Sequence, residues 1–227
     1  MMRGHDQAGK FIVLEGGDGA GKTTQVTLLS AWLDALGVAH VCTREPGGTA
    51  VGEAIRGVVL GRSDLDMPPE AELLLILAAR AAFVREVVRP ALEAGQVVIA
   101  DRFSLSTLAY QGYGRGLPLP QVRAGIEIAT GGLSPDVYLL LDLPAVEGRD
   151  RQQRDGAKPD RIEAAGADFR EAVRNGYLEL ARSEPEVEVV AALGTPADVH
   201  ARIRDRLLAR FPETFLTAGS IDPGRSG

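Results

Sequence analysis
Three features of the sequence predict a three-layer, doubly wound α/β fold. Five short runs are continuously apolar rather than alternating, as suits strands buried on both faces of a parallel sheet. Helix-length stretches separate these runs and set up a βαβα rhythm. The first run ends in a glycine-rich segment that leads straight into an amphipathic stretch.

The elements follow in chain order. A strand over 11–15 (FIVLE) precedes a helix over 22–36, which Gly37 is placed to cap. A strand over 38–43 (VAHVCT) precedes helices over 50–60 and 69–94. Pro68 and Pro69 suit the start of the longer helix, and Gly95 suits its end. The third strand, 97–101 (VVIAD), leads to helices over 104–110 and 118–130. The fourth, 137–142 (VYLLLD), leads to helices over 144–154 and 167–183, and the fifth, 187–191 (VEVVA), to one over 196–210. Periodicity stops at Phe211, so residues 1–210 are expected as one domain and 211–227 as a loose tail.

Composition sets bounds on the function. The chain has 227 residues, 45% of them hydrophobic, enough for a substantial core. A net charge of −6 argues against a protein that coats nucleic acid, although a local basic groove stays open. The 25 basic residues are very unequal, with three Lys (Lys10, Lys22, Lys158) and 22 Arg. Cys42 is the only cysteine, so no intrachain disulfide can form; it reads as a small buried hydrophobe in a reducing compartment. The N-terminal MMRGHDQAGK lacks the apolar stretch of a signal peptide. The longest apolar run, LLLILAA over 73–79, is too short to span a bilayer. A soluble cytoplasmic protein with no membrane or nucleic-acid partner is expected.

The glycine-rich segment Gly16–Gly17–Asp18–Gly19–Ala20–Gly21–Lys22–Thr23 fits G-x-x-x-x-G-K-[ST] between a strand and a helix. Bare backbone lets N–H groups curl around phosphates, and the helix N-terminus adds positive potential. Lys22 supplies a full charge and Thr23 a hydroxyl for Mg²⁺. A GTPase would need a base-reading N-K-x-D, which is missing. By itself this loop does not separate a switch, a motor and a kinase.

Three further clusters narrow the choice. TREPGGT (43–49) puts Arg44 and Glu45 at a strand's carboxyl end, where ligands of α/β sheets bind. Asp101 and Arg102 end the third strand. The Asp can hold the hydration shell of Mg²⁺, and the Arg can clamp a phosphate bidentately. EGRDRQQRDGAKPDRIE (147–163) crowds Arg149, Arg151, Arg154, Lys158 and Arg161 together, as in a mobile lid that carries Arg to a transferring phosphoryl group. LLLILAARAAFVREVV is apolar apart from Arg80 and its distal end. Arg80 can snorkel to solvent or reach into a cleft, and periodicity favours neither.

In order and spacing, the motifs EGGDGAGKTT, REPGGT, AAR, DRFSLSTLAYQGYGRG and an Arg-rich segment ending in DRIE resemble those of the bacterial thymidylate kinase family. The likeness runs from about Phe11 to Arg210. It implies a P-loop fold with a five-stranded parallel sheet flanked by helices on both faces, and a mobile Arg-rich lid near 147–163. It implies transfer of the ATP γ-phosphoryl to dTMP with Mg²⁺, in dTTP synthesis, by a homodimer.

The resemblance also implies roles. Gly16, Gly17, Asp18, Gly19, Ala20, Gly21, Lys22, Thr23 and Thr24 would cradle ATP, with Lys22 on the transferring phosphoryl and Asp18 near the sugar 3′-hydroxyl of dTMP. Thr23 and Asp101 would hold Mg²⁺, partly through water. Arg44 and Arg102 would approach the dTMP phosphate, in a pocket lined by Glu45 and Pro46. Arg80 would read the thymine O4 edge, with Ser106 and Thr107 beside the base. Tyr110 would press on the sugar where a 2′-hydroxyl would go, and Gln111 would border it. The loop carries no Arg, so the catalytic Arg would come from the lid, as Arg149, Arg151 or Arg154. The family usually stacks a Phe on the thymine where this chain has Ile76, a loss of about 0.5–1.5 kcal/mol of stacking. Two rivals remain: a kinase for another nucleoside monophosphate, differing at Arg80, Thr107 and Tyr110, and a non-catalytic nucleotide sensor.

Overall fold
The computed structural model describes residues 9–154, 156 and 160–216. Five parallel strands, β1 (Phe11–Glu15), β2 (His40–Arg44), β3 (Val97–Asp101), β4 (Val137–Asp142) and β5 (Val187–Ala191), form one sheet in the order β2-β3-β1-β4-β5. The helices are α1 (Lys22–Leu36), α2 (Ala50–Gly61), α3 (Pro69–Phe83), α4 (Arg89–Glu93), α5 (Ser104–Thr107), α6 (Leu119–Thr130), α7 (Ala145–Arg154), α8 (Ala167–Ser183), α9 (Pro196–Arg210) and α10 (Pro212–Phe215).

Alternation along the strands splits the core into two layers. Phe11 and Val13 of β1 join Phe83 of α3, Val122 of α6 and Tyr177 of α8 on one face. Ile12 and Leu14 join Leu29 and Leu33 of α1 and Ile203 and Leu207 of α9 on the other. Burial on both faces is why these strands read as unbroken apolar runs.

Four expectations need correction. Strand β2 starts at His40 rather than at 38 and is only partly buried, because it is a sheet edge. Cys42 on it is exposed for the same reason and is no buried hydrophobe. The stretch 69–94 is not one regular helix: a wide π-helical turn, Val84–Val88, separates α3 from α4. A second such turn, Leu108–Gly114, continues α5. Finally, the expected tail does not begin at Phe211. Phe211 and Phe215 are buried in the α1–α9 layer, and Phe215 packs 5.2 Å from the Trp32 ring. Two aromatic rings four residues apart anchor the segment. The expected tail over 217–227 and the lid residue Lys158 lie outside the described residues.

The topology places the motifs. Strands β2, β3 and β1 are neighbours, with Arg44 and Leu14 both in register with Asp101. The Glu45 N–H donates to the Asp101 carbonyl at 2.9 Å, and the Arg102 N–H to the Leu14 carbonyl at 2.9 Å. Three motifs far apart in sequence therefore end side by side at the carboxyl edge of the sheet, where order reverses about β1.

Candidate active site
A single cleft of about 1330 Å³ opens at that edge. Its floor is the loop from β1 to α1. Gly21 adopts a left-handed conformation (φ 91°) at the N-cap of α1, no side chain caps the helix, and its first turn holds no acidic residue. The free N–H groups and the positive end of the helix therefore face the cleft. Lys22 is almost wholly buried, donating to the carbonyls of Gly16 (3.1 Å) and Gly17 (2.9 Å). Burial, and secondarily the Arg102 charge, hold its pKa below the ordinary lysine value, against the pull of Asp101, Asp18 and Glu15. The Thr23 hydroxyl donates to Asp101 Oδ2 at 2.8 Å, which joins the two residues expected at a metal.

Arg102 occupies the centre. Its Nη1 donates to the Gly16 carbonyl (3.2 Å), Ser106 Oγ (3.1 Å) and the Tyr177 hydroxyl (3.3 Å). Its Nη2 donates to the Asp18 carboxylate and to the Tyr110 hydroxyl (3.1 Å), and its guanidinium lies 4.9 Å from the Tyr110 ring. Asp18 also accepts from the Tyr110 hydroxyl at 3.1 Å.

Arg80 does not snorkel. It is 1% exposed, donates through Nε and Nη2 to Glu45 Oε2 at 2.8 and 2.6 Å, and stacks over Phe103 at 5.0 Å. Burial pushes the Glu45 carboxyl up, and the Arg80 charge only partly pulls it back. Arg80 Nη1, Glu45 Oε1 and Thr107 Oγ1 are buried without a hydrogen-bond partner among the described residues. Arg80 and Thr107 both line the cleft. Such donors and acceptors are costly unless a ligand meets them.

Ile76, Pro46, Ser106, Gln111 and Arg44 line the same cleft, as do Gly19, Ala20 and Thr24. Gly16 and Gly17 line a small void behind the loop instead. Arg44 meets Glu53 at the rim, 3.4 Å away. Phe83 lies in the core against Phe103 and does not substitute for an aromatic at Ile76. On α7, Glu147, Arg151 and Arg154 share a face through their i, i+4, i+7 spacing, and all three line the cleft. Arg149, also brought forward by the sequence, is exposed and does not line the cleft. Gly148 sits against the loop: a Cβ on Gly19 would meet the Gly148 carbonyl at 2.2 Å.

Sequence reasoning missed three residues. Arg56 of α2 lines the cleft and donates to the Pro46 carbonyl at 3.0 Å. Glu15 is fully buried and accepts from Phe103 N (2.9 Å), Ser106 N (3.1 Å), Ser106 Oγ (2.6 Å) and Tyr177 OH (2.9 Å). A carboxylate closing an otherwise apolar strand was its signal. Glu72 shares a face of α3 with Ile76 and Arg80 at i, i+4, i+8, a spacing readable in advance. Its buried carboxylate accepts from Gln111 (2.9 Å), twice from Arg115 (3.1 Å each) and from Arg161.

Burial works to raise the Glu72 pKa, but the bonds from Arg115, Gln111 and Arg161 hold it below the ordinary carboxylate value. Its stabilising effect is therefore complete above that value and lost as pH falls through the lowered one. Glu72→Ala is expected to cost about 3 kcal/mol at neutral pH by stranding two arginines. In urea unfolding, the gap to the wild type should narrow below about pH 4. A gap independent of pH would argue that packing, not charge, holds this cluster.

Comparison with known proteins agrees with this geometry. The chain matches the family model described as thymidylate kinase over residues 14–203. A thymidylate kinase of Desulforudis audaxviator is 47% identical over 221 residues, covering 96% of this chain and 99% of its own. One of Deinococcus radiodurans is 50% identical over 190 residues, covering 84% and 91%. Among solved structures, the crystal structure of thymidylate kinase from Ehrlichia chaffeensis superposes with a TM-score of 0.73 at 30% identity, covering 88% of this chain and 99% of that one.

Proposed function
The chain belongs to the thymidylate kinase family, and on that premise we propose how its cleft moves the γ-phosphoryl of ATP to dTMP, giving ADP and dTDP. The protein is a phosphotransferase with ATP as co-substrate. One observation carries the assignment of the site: the phosphate-binding loop and the Arg44–Arg80–Arg102 wall share a single cleft of about 1330 Å³. That volume exceeds the roughly 300–1,000 Å³ of a pocket for one small ligand.

ATP phosphates lie on the α1 N-terminus, with Lys22 on the transferring group. The dTMP phosphate sits at Arg102, with Arg44 moving in from the rim. This phosphate is already anionic, so no strong base is required, and the work is positioning and charge neutralisation. The base lies on Ile76, with the open donor of Arg80 toward its O4 edge and Thr107 beside it. Glu45, Pro46, Ser106 and Gln111 close that pocket. Tyr110 packs against the sugar, and Asp18 reaches the 3′-hydroxyl. Arg151 and Arg154 bring positive charge from α7 as the lid closes and excludes water.

Thr23 and Asp101 fit a magnesium ion. A hydroxyl and a carboxylate in contact at the loop's mouth match an ion that takes few protein ligands and completes its shell with phosphate and water. Bound there, Mg²⁺ would screen phosphate charge.

A homodimer is the proposed assembly. Val51 and Val58 of α2, Leu74 of α3 and Ile128 of α6 are exposed on helices that pack side by side. No helix among the described residues is long and apolar enough to cross a membrane, and a reducing cytoplasmic setting suits a chain with one exposed cysteine.

A coupled ADP-release assay with ATP and Mg²⁺ tests the reading by comparing dTMP, dUMP, UMP and no acceptor. Turnover is expected with dTMP and little with UMP, whose 2′-hydroxyl meets Tyr110. Because Ile76 offers no aromatic face, we expect a dTMP KM raised by up to about tenfold relative to an Ile76→Phe variant. Equal turnover with UMP would refute the sugar-pocket assignment. ATP binding without acceptor-dependent turnover would leave only a nucleotide sensor.

A further inference from the structure
Arg102 is the one non-glycine residue with a positive φ (75°) among the described residues. A branched-off backbone geometry of this kind persists only where its surroundings impose it, and it gathers at functional sites. The two peptide N–H groups that flank the Arg102 Cα are both held by consecutive residues of β1. Arg102 N–H donates to the Leu14 carbonyl, and Phe103 N–H donates to Glu15 Oε1 at 2.9 Å. The same Glu15 oxygen accepts Ser106 N–H at 3.1 Å, which ties down the first turn of α5.

Glu15 also reaches the other end of Arg102. Ser106 Oγ donates to Glu15 Oε2 (2.6 Å) and accepts from Arg102 Nη1 (3.1 Å). The Tyr177 hydroxyl does the same, at 2.9 and 3.3 Å. The two hydroxyls also lie 2.8 Å from each other, so Glu15 Oε2 takes at least one of their protons and oxygen lone pairs stay turned toward the guanidinium.

We propose that Glu15 is a positioning residue for the acceptor phosphate: it imposes the strained backbone of Arg102 and aims its guanidinium through Ser106 and Tyr177. The inference rests on the reading that Arg102 holds the dTMP phosphate. Glu15 touches no substrate itself. Its hydrogen bonds go to the Phe103–Ser106 turn and to Tyr177, so its main effect falls on what Arg102 binds rather than on the ATP side of the cleft.

The test is a double-mutant cycle of Glu15→Ala and Arg102→Ala, with Glu15→Gln alongside, reading KM for dTMP and for ATP separately. Glu15→Ala is expected to raise KM for dTMP at least about tenfold through misplacement of the guanidinium, with KM for ATP within about twofold of wild type. In the Arg102→Ala background the same substitution should add less than about twofold, because the residue it acts through is gone. Glu15→Gln should recover part of the loss: its carbonyl still accepts Phe103 N–H and Ser106 N–H, but its amide nitrogen cannot accept from the Ser106 and Tyr177 hydroxyls.

Losses that multiply in the double variant, or equal rises in both KM values, would overturn the proposal. If Glu15→Ala does not fold, as judged by its melting transition, Glu15→Asp takes its place. Its shorter arm keeps the charge but cannot reach both N–H groups, so the same selective rise is expected, and its absence counts against the proposal. A raised dTMP KM in Arg102→Ala with none in the Glu15 variants would defeat this inference alone. An unchanged dTMP KM in Arg102→Ala would defeat the reading of Arg102, and the inference with it.

Discussion
Lys22→Ala is expected to lower kcat/KM for ATP by at least about two orders of magnitude, or about 3 kcal/mol of transition-state stabilisation. Among the described residues, Lys22 meets no carboxylate directly. Its ammonium is buried against two carbonyls of the loop that it serves, with its remaining hydrogen-bonding capacity toward the cleft. A charge held in that way is pre-organised for phosphate oxygens and needs little rearrangement when negative charge develops. Its lowered pKa adds a signature. The charged form is lost at a lower pH than for a free lysine, so kcat/KM for ATP should fall on the alkaline side before the ordinary lysine range is reached. The coupled assay across pH measures both effects. Near-wild-type kcat/KM in the variant would remove Lys22 from the phosphate site.

The second large effect is on stability. Glu45→Ala leaves Arg80 charged, 1% exposed and without its carboxylate. Breaking a buried pair from one side costs about 3–5 kcal/mol, because the remaining ion has lost both water and partner. For a chain of this size that corresponds to a fall of roughly 6–20 °C in Tm. Glu45→Gln should cost less, since an amide oxygen can still accept from Arg80 Nε. Calorimetry on the free enzyme reads the difference. Equal losses for Ala and Gln would show that the charge on Glu45 contributes little. Addition of dTMP should narrow the deficit of Glu45→Ala, because the base would supply an acceptor to Arg80.

These two residues illustrate different kinds of legibility. Lys22 sits in a contiguous motif whose chemistry is local: the nine residues 16–24, running from a strand's end into the first turn of a helix, are enough to define an anion cradle. Arg80 was visible as an anomaly, a charge in an apolar stripe. Its direction depended on Glu45, which lies 35 residues away, just past the end of β2, and meets it only because both line the cleft. The choice among the lid arginines falls between. The face shared by Arg151 and Arg154 follows from helical spacing, but which face meets the cleft depends on Gly148 packing against Gly19.

What the sequence by itself determined was the set of elements and the chemistry of the loop. Strands β1, β3, β4 and β5 and helices α1, α8 and α9 lie at the expected residues, because both-face burial and helical periodicity are written in consecutive side chains. Tertiary structure alone decided which strands are edges, and so the exposure of Cys42. It decided that Phe215 folds back onto Trp32 with Phe211 buried beside it, and that Glu15 and Glu72 are buried against residues of the site. Partners such as Arg102 with Asp18, 84 residues apart, or Phe103 with Glu15, 88 apart, carry no mark in local periodicity. Only strand order brings them within bonding distance, and a buried carboxylate is stable only where that order supplies its donors.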